Sequence, residues 1–126
     1  MPWARYQTFV TGRAYERVYE LNYEQIQVDG GPTNGYLVEA KWVGRNAAAF
    51  EKSPYNTASK FYDEEKIADQ ARRLLALNKG LNGNGIRYAV SEMGGADAFL
   101  QLFQAHFPKQ VESGVLGVYH VPGNGM

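Results

Sequence analysis

Residues 36–43 read Tyr36-Leu37-Val38-Glu39-Ala40-Lys41-Trp42-Val43, an apolar run that contains two charges. Its mixed pattern predicts a strand buried on both faces, as in the centre of a sheet. Side chains on a strand alternate between its two faces, so Glu39 and Lys41 are predicted to share a face, with Ala40 on the other. Charges are seldom buried unless they are paired, hydrogen-bonded or bound to a metal. The run therefore predicts either a salt bridge within the sheet or a polar site.

A second carboxylate favours the polar site. Asp29 lies ten residues before Glu39, at the end of the preceding predicted strand. Two carboxylates can hold a hard cation such as Mg²⁺, which polarises both a water molecule and a phosphoryl oxygen, and the Ala40 carbonyl lies between them as a further oxygen ligand. Lys41 is placed to orient the water or to neutralise the charge that develops on phosphorus. The group predicts chemistry on a phosphate.

The remaining ligand of this site stays open at the level of sequence. The candidates are Glu16 and Glu20 on the first predicted strand, or the amide of Gln7. A second amide, Gln70, falls on the apolar stripe of a predicted helix. That stripe is formed by Ile67, Ala71, Leu74, Leu77 and Leu81. Gln70 is either a boundary residue half in water or a buried amide that reaches the carboxylates.

Composition limits the class of protein. The chain has 126 residues with 44% hydrophobic and 13% aromatic residues, which predicts one folded domain over residues 1–126. It has no cysteine, which excludes disulfides and thiolate metal sites. Neither a signal peptide nor an apolar run of membrane-spanning length is found in the sequence, so we expect no membrane partner.

Charge is balanced overall but uneven along the chain. Thirteen basic and thirteen acidic residues give a formal net charge of zero, which argues against binding nucleic acid through bulk charge. Residues 41–87 nevertheless carry nine basic and five acidic side chains. These basic residues form either an ordinary solvated surface or one basic face beside the carboxylates. The candidates for nucleic-acid contacts are Lys52, Lys60, Arg72 and Arg73, with Lys66 and Lys79 nearby.

Periodicity and turn residues predict the order of elements. A helix over residues 3–11 precedes strands over 14–23, 25–29 and 36–43, the last two joined as a hairpin by turn residues 30–35. A long loop over 44–62, with one helical turn at 47–50, leads to a helix that is capped by Asp63, with Lys79 in its last turn and Gly80 just after it. A strand over 86–91, a helix over 96–107 stopped by Pro108, and a parallel strand over 115–121 follow. Phe99, Phe103 and Phe107, spaced four residues apart on that helix, are predicted to be core. The predicted fold is α/β, with helices on a mixed central sheet.

The chain resembles the PD-(D/E)xK nucleases at Asp29-Gly30 and Glu39-Ala40-Lys41, although Val28 replaces the usual proline. It is more specifically similar to restriction-endonuclease-fold toxin domains of bacterial polymorphic toxins and type VI secretion effectors. The residues that carry this likeness are Arg5-Tyr6-Gln7 with Thr11-Gly12, Gly35 to Lys41, Phe61-Tyr62, Asp69-Gln70-Ala71-Arg72 and His120-Val121-Pro122.

The resemblance implies an αβββαβ core with an additional helix and C-terminal strand. It implies a Mg²⁺- or Mn²⁺-dependent endonuclease acting on DNA, with Asp29, Glu39 and Lys41 as signature residues and Gln70 beside them. It also implies the C-terminal piece of a larger secreted antibacterial effector that acts in the target-cell cytoplasm and is neutralised by an immunity protein. One alternative is a non-catalytic module on the same scaffold that binds nucleic acid or protein. Another is that the triad of Asp29, Glu39 and Lys41 only stabilises the sheet.

Overall fold

A computed structural model describes residues 2–11, 17–21, 24–33, 35–43 and 63–122. Its elements are α1 (Pro2–Thr11), β1 (Arg17–Leu21), β2 (Glu24–Val28), β3 (Gly30–Thr33), β4 (Tyr36–Lys41), α2 (Glu64–Gly80), β5 (Gly85–Val90), α3 (Met93–His106), α4 (Pro108–Glu112) and β6 (Leu116–His120). The predicted α/β class is confirmed. The loop predicted over 44–62 and its helical turn at 47–50 lie outside the described residues.

The sheet that carries the charged run has the order β3-β4-β5-β6. Strands β4, β5 and β6 are parallel, with Glu39 opposite Tyr88 and Tyr88 opposite Val118. Parallel neighbours need a crossover, and α2 connects β4 to β5 while α3 and α4 connect β5 to β6. The predicted central position of β4 and the parallel pairing of the last two strands are confirmed. Burial on both faces is not, because the face that carries Tyr36, Val38 and Ala40 is only partly buried.

The predicted hairpin between residues 25–29 and 36–43 is wrong. Strand β2 pairs with β1 in a separate two-stranded antiparallel sheet, and the antiparallel partner of β4 is β3. Strand β3 consists of Gly30-Gly31-Pro32-Thr33, which the sequence had indicated as turn only. The pairing is irregular between Gly30 and Thr33, which suits residues of low strand propensity at a sheet edge.

Helix α2 covers one face of this sheet. Asp63 caps its first turn, since Asp63 Oδ1 accepts hydrogen bonds from the backbone N–H groups of Glu65 and Lys66. The predicted stripe is buried at Ile67, Ala71, Leu74 and Leu77. Leu81, predicted to extend that stripe, is 45% exposed. Gly80 belongs to the helix, and Asn82 rather than a glycine adopts the left-handed conformation after it.

Helix α3 completes the core with the predicted phenylalanines. Phe99, Phe103 and Phe107 are buried, and Phe103 meets the Tyr88 ring edge-on at a centroid distance of 4.9 Å. The helix ends at His106, just before Pro108, as predicted. Pro108 also occupies the first turn of the short helix α4, where its missing N–H costs no hydrogen bond. This core on the α2 and α3 side holds the charged residues of β4 in place.

Candidate active site

Glu39 and Lys41 form a buried ion pair on β4. Their side chains point to the face covered by α2, where Glu39 is 2% and Lys41 5% exposed. Lys41 Nζ lies 3.2 Å from Glu39 Oε2. The predicted shared face is confirmed, and the salt bridge that was one interpretation of the run is present.

Asp29 joins this pair through the backbone. It lies between β2 and β3 and is buried. Its backbone N–H donates to Glu39 Oε1 at 3.2 Å, and its Oδ2 accepts a 2.8 Å hydrogen bond from the Ala40 N–H. The two carboxylates therefore meet at the edge of β4, although a strand pairing other than the predicted one brings them there.

The Ala40 carbonyl faces the same edge as Asp29. The Lys41 carbonyl accepts from the Ser91 N–H on the β5 side. Carbonyls of successive strand residues alternate in direction, so the Ala40 carbonyl points away from β5 and toward Asp29. The Ala40 carbonyl and the Asp29 carboxylate therefore lie on the same side of β4.

Gln70 connects the ion pair to the core. Its Nε2 donates to Glu39 Oε2 at 3.3 Å, and its Oε1 accepts a 3.1 Å hydrogen bond from the Tyr88 hydroxyl. Of the two interpretations of Gln70, the structure supports the amide that reaches the carboxylates, although the residue is only half-buried. Both ends of the amide are engaged, which fixes its orientation toward Glu39.

Burial changes the acidity of Asp29. Removal from water, and to a lesser extent the neighbouring Glu39 carboxylate, raise the pKa of Asp29 from 3.8 to about 6. The Ala40 N–H and the Lys41 ammonium act in the opposite direction. The ionised form of Asp29 is therefore less favourable here than in water, and a bound cation would favour it.

The residues fit a divalent cation by the chemistry of their donors. Carboxylate oxygens of Asp29 and Glu39 and the Ala40 carbonyl are the hard ligands that Mg²⁺ and Mn²⁺ prefer. Within the described residues, no three His, Cys, Asp or Glu side chains form a metal site by themselves. Two carboxylates and a carbonyl leave further coordination positions for water and substrate, as Mg²⁺ commonly has.

The candidates for the third ligand are only partly located. Gln7 is buried on α1, a helix that packs against β4. Glu20 belongs to β1, where its backbone pairs with Gln25. Glu16 lies outside the described residues. All three stay predictions.

The four basic residues predicted to contact nucleic acid do not form one described surface. Lys52 and Lys60 lie outside the described residues. Arg72 is exposed, pairs with Asp69 at 3.3 Å, and stands 5.8 Å over the Phe107 ring. At about 100° per helical residue, Arg72 is about 160° around α2 from Gln70, whereas Arg73 is about 60° away. The structure brings Arg73, and not Arg72, to the Gln70 side of the helix.

Sequence reasoning missed Tyr88. The signal was the alternation Ile86, Tyr88, Val90, which places a hydroxyl on a buried strand face. Its position opposite Glu39 depends on the parallel register of β4 and β5. Ser91 was also missed. Its hydroxyl accepts a 2.7 Å hydrogen bond from the Val43 N–H and so fixes the chain just beyond Lys41.

Comparison with protein-family models, with curated proteins and with solved structures finds no match to this chain. Among the helices of the described residues, none is long and apolar enough to span a bilayer. Function is therefore inferred from the site residues and from the motif they form.

Proposed function

We propose that this chain is a Mg²⁺- or Mn²⁺-dependent endonuclease of the PD-(D/E)xK type, with DNA as its expected substrate. One observation carries the proposal: Asp29, Glu39, Ala40 and Lys41 form a single buried network at one edge of β4. Their spacing and residue types are those of the signature motif. The restriction-endonuclease-like core remains part of this proposal.

In the proposed reaction, Asp29, Glu39 and the Ala40 carbonyl would hold the cation. A bound divalent cation would polarise the attacking water and the phosphoryl oxygen and offset negative charge. Lys41 presents an ammonium beside Glu39, where it can donate a hydrogen bond to the water or to a phosphoryl oxygen. Water adds to phosphorus, the ester P–O bond breaks, and the leaving oxygen takes up a proton.

Gln70 and Tyr88 position Glu39 for this role. The chain of hydrogen bonds from the Tyr88 hydroxyl through the Gln70 amide holds one carboxylate oxygen in a fixed direction. Fixed donors and acceptors lower the reorganisation that the reaction requires.

We further propose that the domain acts as an antibacterial toxin with a cognate immunity protein as partner. The support is the set of short motifs shared with toxin domains of this fold. The test is expression in bacteria of wild type, Glu39→Ala and, as a control, the exposed Glu112→Ala. Wild type and Glu112→Ala are expected to stop growth and fragment the chromosome, and Glu39→Ala to do neither. Normal growth with an intact chromosome on wild-type expression would refute the toxin proposal.

One observation favours a second candidate, a non-catalytic binding module whose triad stabilises the sheet. Both Glu39 oxygens already have donors, since Oε1 accepts from Asp29 N–H and Oε2 contacts both Lys41 and Gln70. A satisfied buried carboxylate can be purely structural. Titration calorimetry separates the candidates, because a structural triad predicts no heat of Mg²⁺ binding and the nuclease predicts binding that Asp29→Asn abolishes.

A further inference from the structure

The face of the sheet opposite α2 carries a cluster of different chemistry. The parallel register places Tyr36 on β4, Arg87 on β5 and Tyr119 on β6 on this face, because Glu39 and Tyr88 occupy the other one. Helix α1 reaches the end of this face, where the Tyr6 hydroxyl donates to the Val121 carbonyl at 2.7 Å. Arg87 and Tyr119 remain exposed, Tyr119 to 51%.

Arg87 lies between two tyrosine rings. Its guanidinium carbon is 3.8 Å from the centre of the Tyr36 ring and 5.9 Å from that of Tyr119. Both distances are within the range of cation–π attraction. The Tyr119 ring leans back across Gly117, where a methyl group would lie 2.9 Å from Tyr119 Cε2. Gly117 thus provides the space that lets the Tyr119 ring lie beside Arg87.

The arrangement leaves two kinds of binding group available. The Tyr36 ring lies against the guanidinium at 3.8 Å, while the N–H groups of a guanidinium point outward in its own plane. Within the part of the chain that the structure describes, the salt bridges are Lys41–Glu39 and Arg72–Asp69, so Arg87 has no acidic partner there. A free guanidinium edge matches a phosphate oxygen, and an exposed tyrosine ring matches the face of an unstacked base.

We infer that Tyr36, Arg87 and Tyr119 form a binding site for single-stranded nucleic acid, separate from the carboxylates and on the opposite face of the sheet. Arg87 contacts the phosphodiester backbone and Tyr119 stacks on a base. A duplex hides its base faces, so the site selects unpaired strands or ends. The geometry of the cluster is independent of the proposed function. The choice of nucleic acid over an acidic protein as its ligand rests on that function.

The experiment measures binding of fluorescently labelled oligo-dT and oligo-U, and of a duplex of equal length, to the whole chain in EDTA, so that cleavage plays no part. Arg87→Ala is expected to weaken single-strand binding about tenfold. It should also reduce the slope of log affinity against log salt by about 0.7, the value for one phosphate. Arg87→Lys, which keeps the charge and loses the planar stack, is expected to weaken binding less than Arg87→Ala does.

Two further variants make the test specific. Gly117→Ala displaces the Tyr119 ring without changing charge and is expected to weaken binding of single strands. Lys109→Ala removes an exposed positive charge on α4 and is expected to bind as wild type does. Wild-type affinity in both Arg87→Ala and Gly117→Ala, or an equal loss in Lys109→Ala, would overturn the inference. Failure of the nuclease proposal is recognised separately, by absence of Mg²⁺-dependent cleavage, and leaves this binding result unaffected.

Discussion

Asp29→Asn in the metal-free protein tests the electrostatics of the site most fully. The pKa of Asp29 is about 6 in the folded protein, against 3.8 ordinarily. The folded state therefore binds the proton more tightly than the unfolded state does. The stability that Asp29 contributes is fully present below pH 3.8 and is lost as the pH rises through about 6.

The size of the effect follows from the two pKa values. With about 1.4 kcal/mol for each tenfold change in proton affinity, ionised Asp29 costs the folded state about 3 kcal/mol near pH 8. Asparagine carries no charge to desolvate and keeps an oxygen that can accept from the Ala40 N–H. Because about 0.6 kcal/mol of this cost is already present at pH 4, the free energy of unfolding of Asp29→Asn, relative to wild type, should rise by about 2 to 3 kcal/mol between pH 4 and pH 8.

Urea unfolding in EDTA at several pH values between 4 and 8 measures this difference. Asp97→Asn, at an exposed position on α3, controls for the loss of one negative charge. A difference between Asp29→Asn and wild type that does not change with pH would refute the reasoning. Added Mg²⁺ is expected to favour ionised Asp29 and so to stabilise wild type but not Asp29→Asn.

Two other substitutions test the role of Tyr88 and the backbone conformation at Gly85. Tyr88→Phe leaves Gln70 Oε1 without its donor, so we expect a loss of about 1 to 2 kcal/mol in urea unfolding together with slower cleavage. The control is Tyr6→Phe, which removes the hydroxyl that donates to the Val121 carbonyl and should lose stability but keep its cleavage rate. If Tyr88→Phe cleaved as fast as Tyr6→Phe, a positioning role for Tyr88 would be contradicted. Gly85→Ala should lower the free energy of unfolding by about 1 to 3 kcal/mol, because Gly85 has φ +145° and a methyl group there would overlap the Val115 carbonyl. The control Gly94→Ala has open space on α3 and should be neutral or stabilising, so equal losses in the two glycine variants would argue against strain at Gly85.

Sequence patterns predicted the features that depend on residues close together in the chain. Period-two alternation was enough to place Glu39 and Lys41 on one face, and the cap at Asp63 followed from its position before an apolar stripe. Arg72 and Arg73 were grouped by sequence proximity, although adjacent helical residues point about 100° apart.

The features that were wrongly predicted or missed depend on contacts between residues far apart in the sequence. Residues 30–33 have the composition of a turn, and only pairing with β4 makes them a strand. The short helix that begins at Pro108 was not predicted, because a proline that stops one helix and a proline that starts the next are alike in sequence. The contact between Tyr88 and Gln70 required the register of β5, which no local pattern contains.

Cleavage of plasmid DNA by the purified protein, with Mg²⁺ and with EDTA, tests the central claim most directly, with an RNA substrate in parallel. The informative variant is Glu39→Gln/Lys41→Met, because it removes both buried charges and avoids the cost of about 3 to 5 kcal/mol that follows when one buried partner is left alone. Thermal unfolding first establishes that the variant is folded. We expect Mg²⁺-dependent cleavage by wild type and none by the folded double variant. Wild type that cuts neither substrate with Mg²⁺ or Mn²⁺, or a double variant that cuts as fast as wild type, would contradict this expectation.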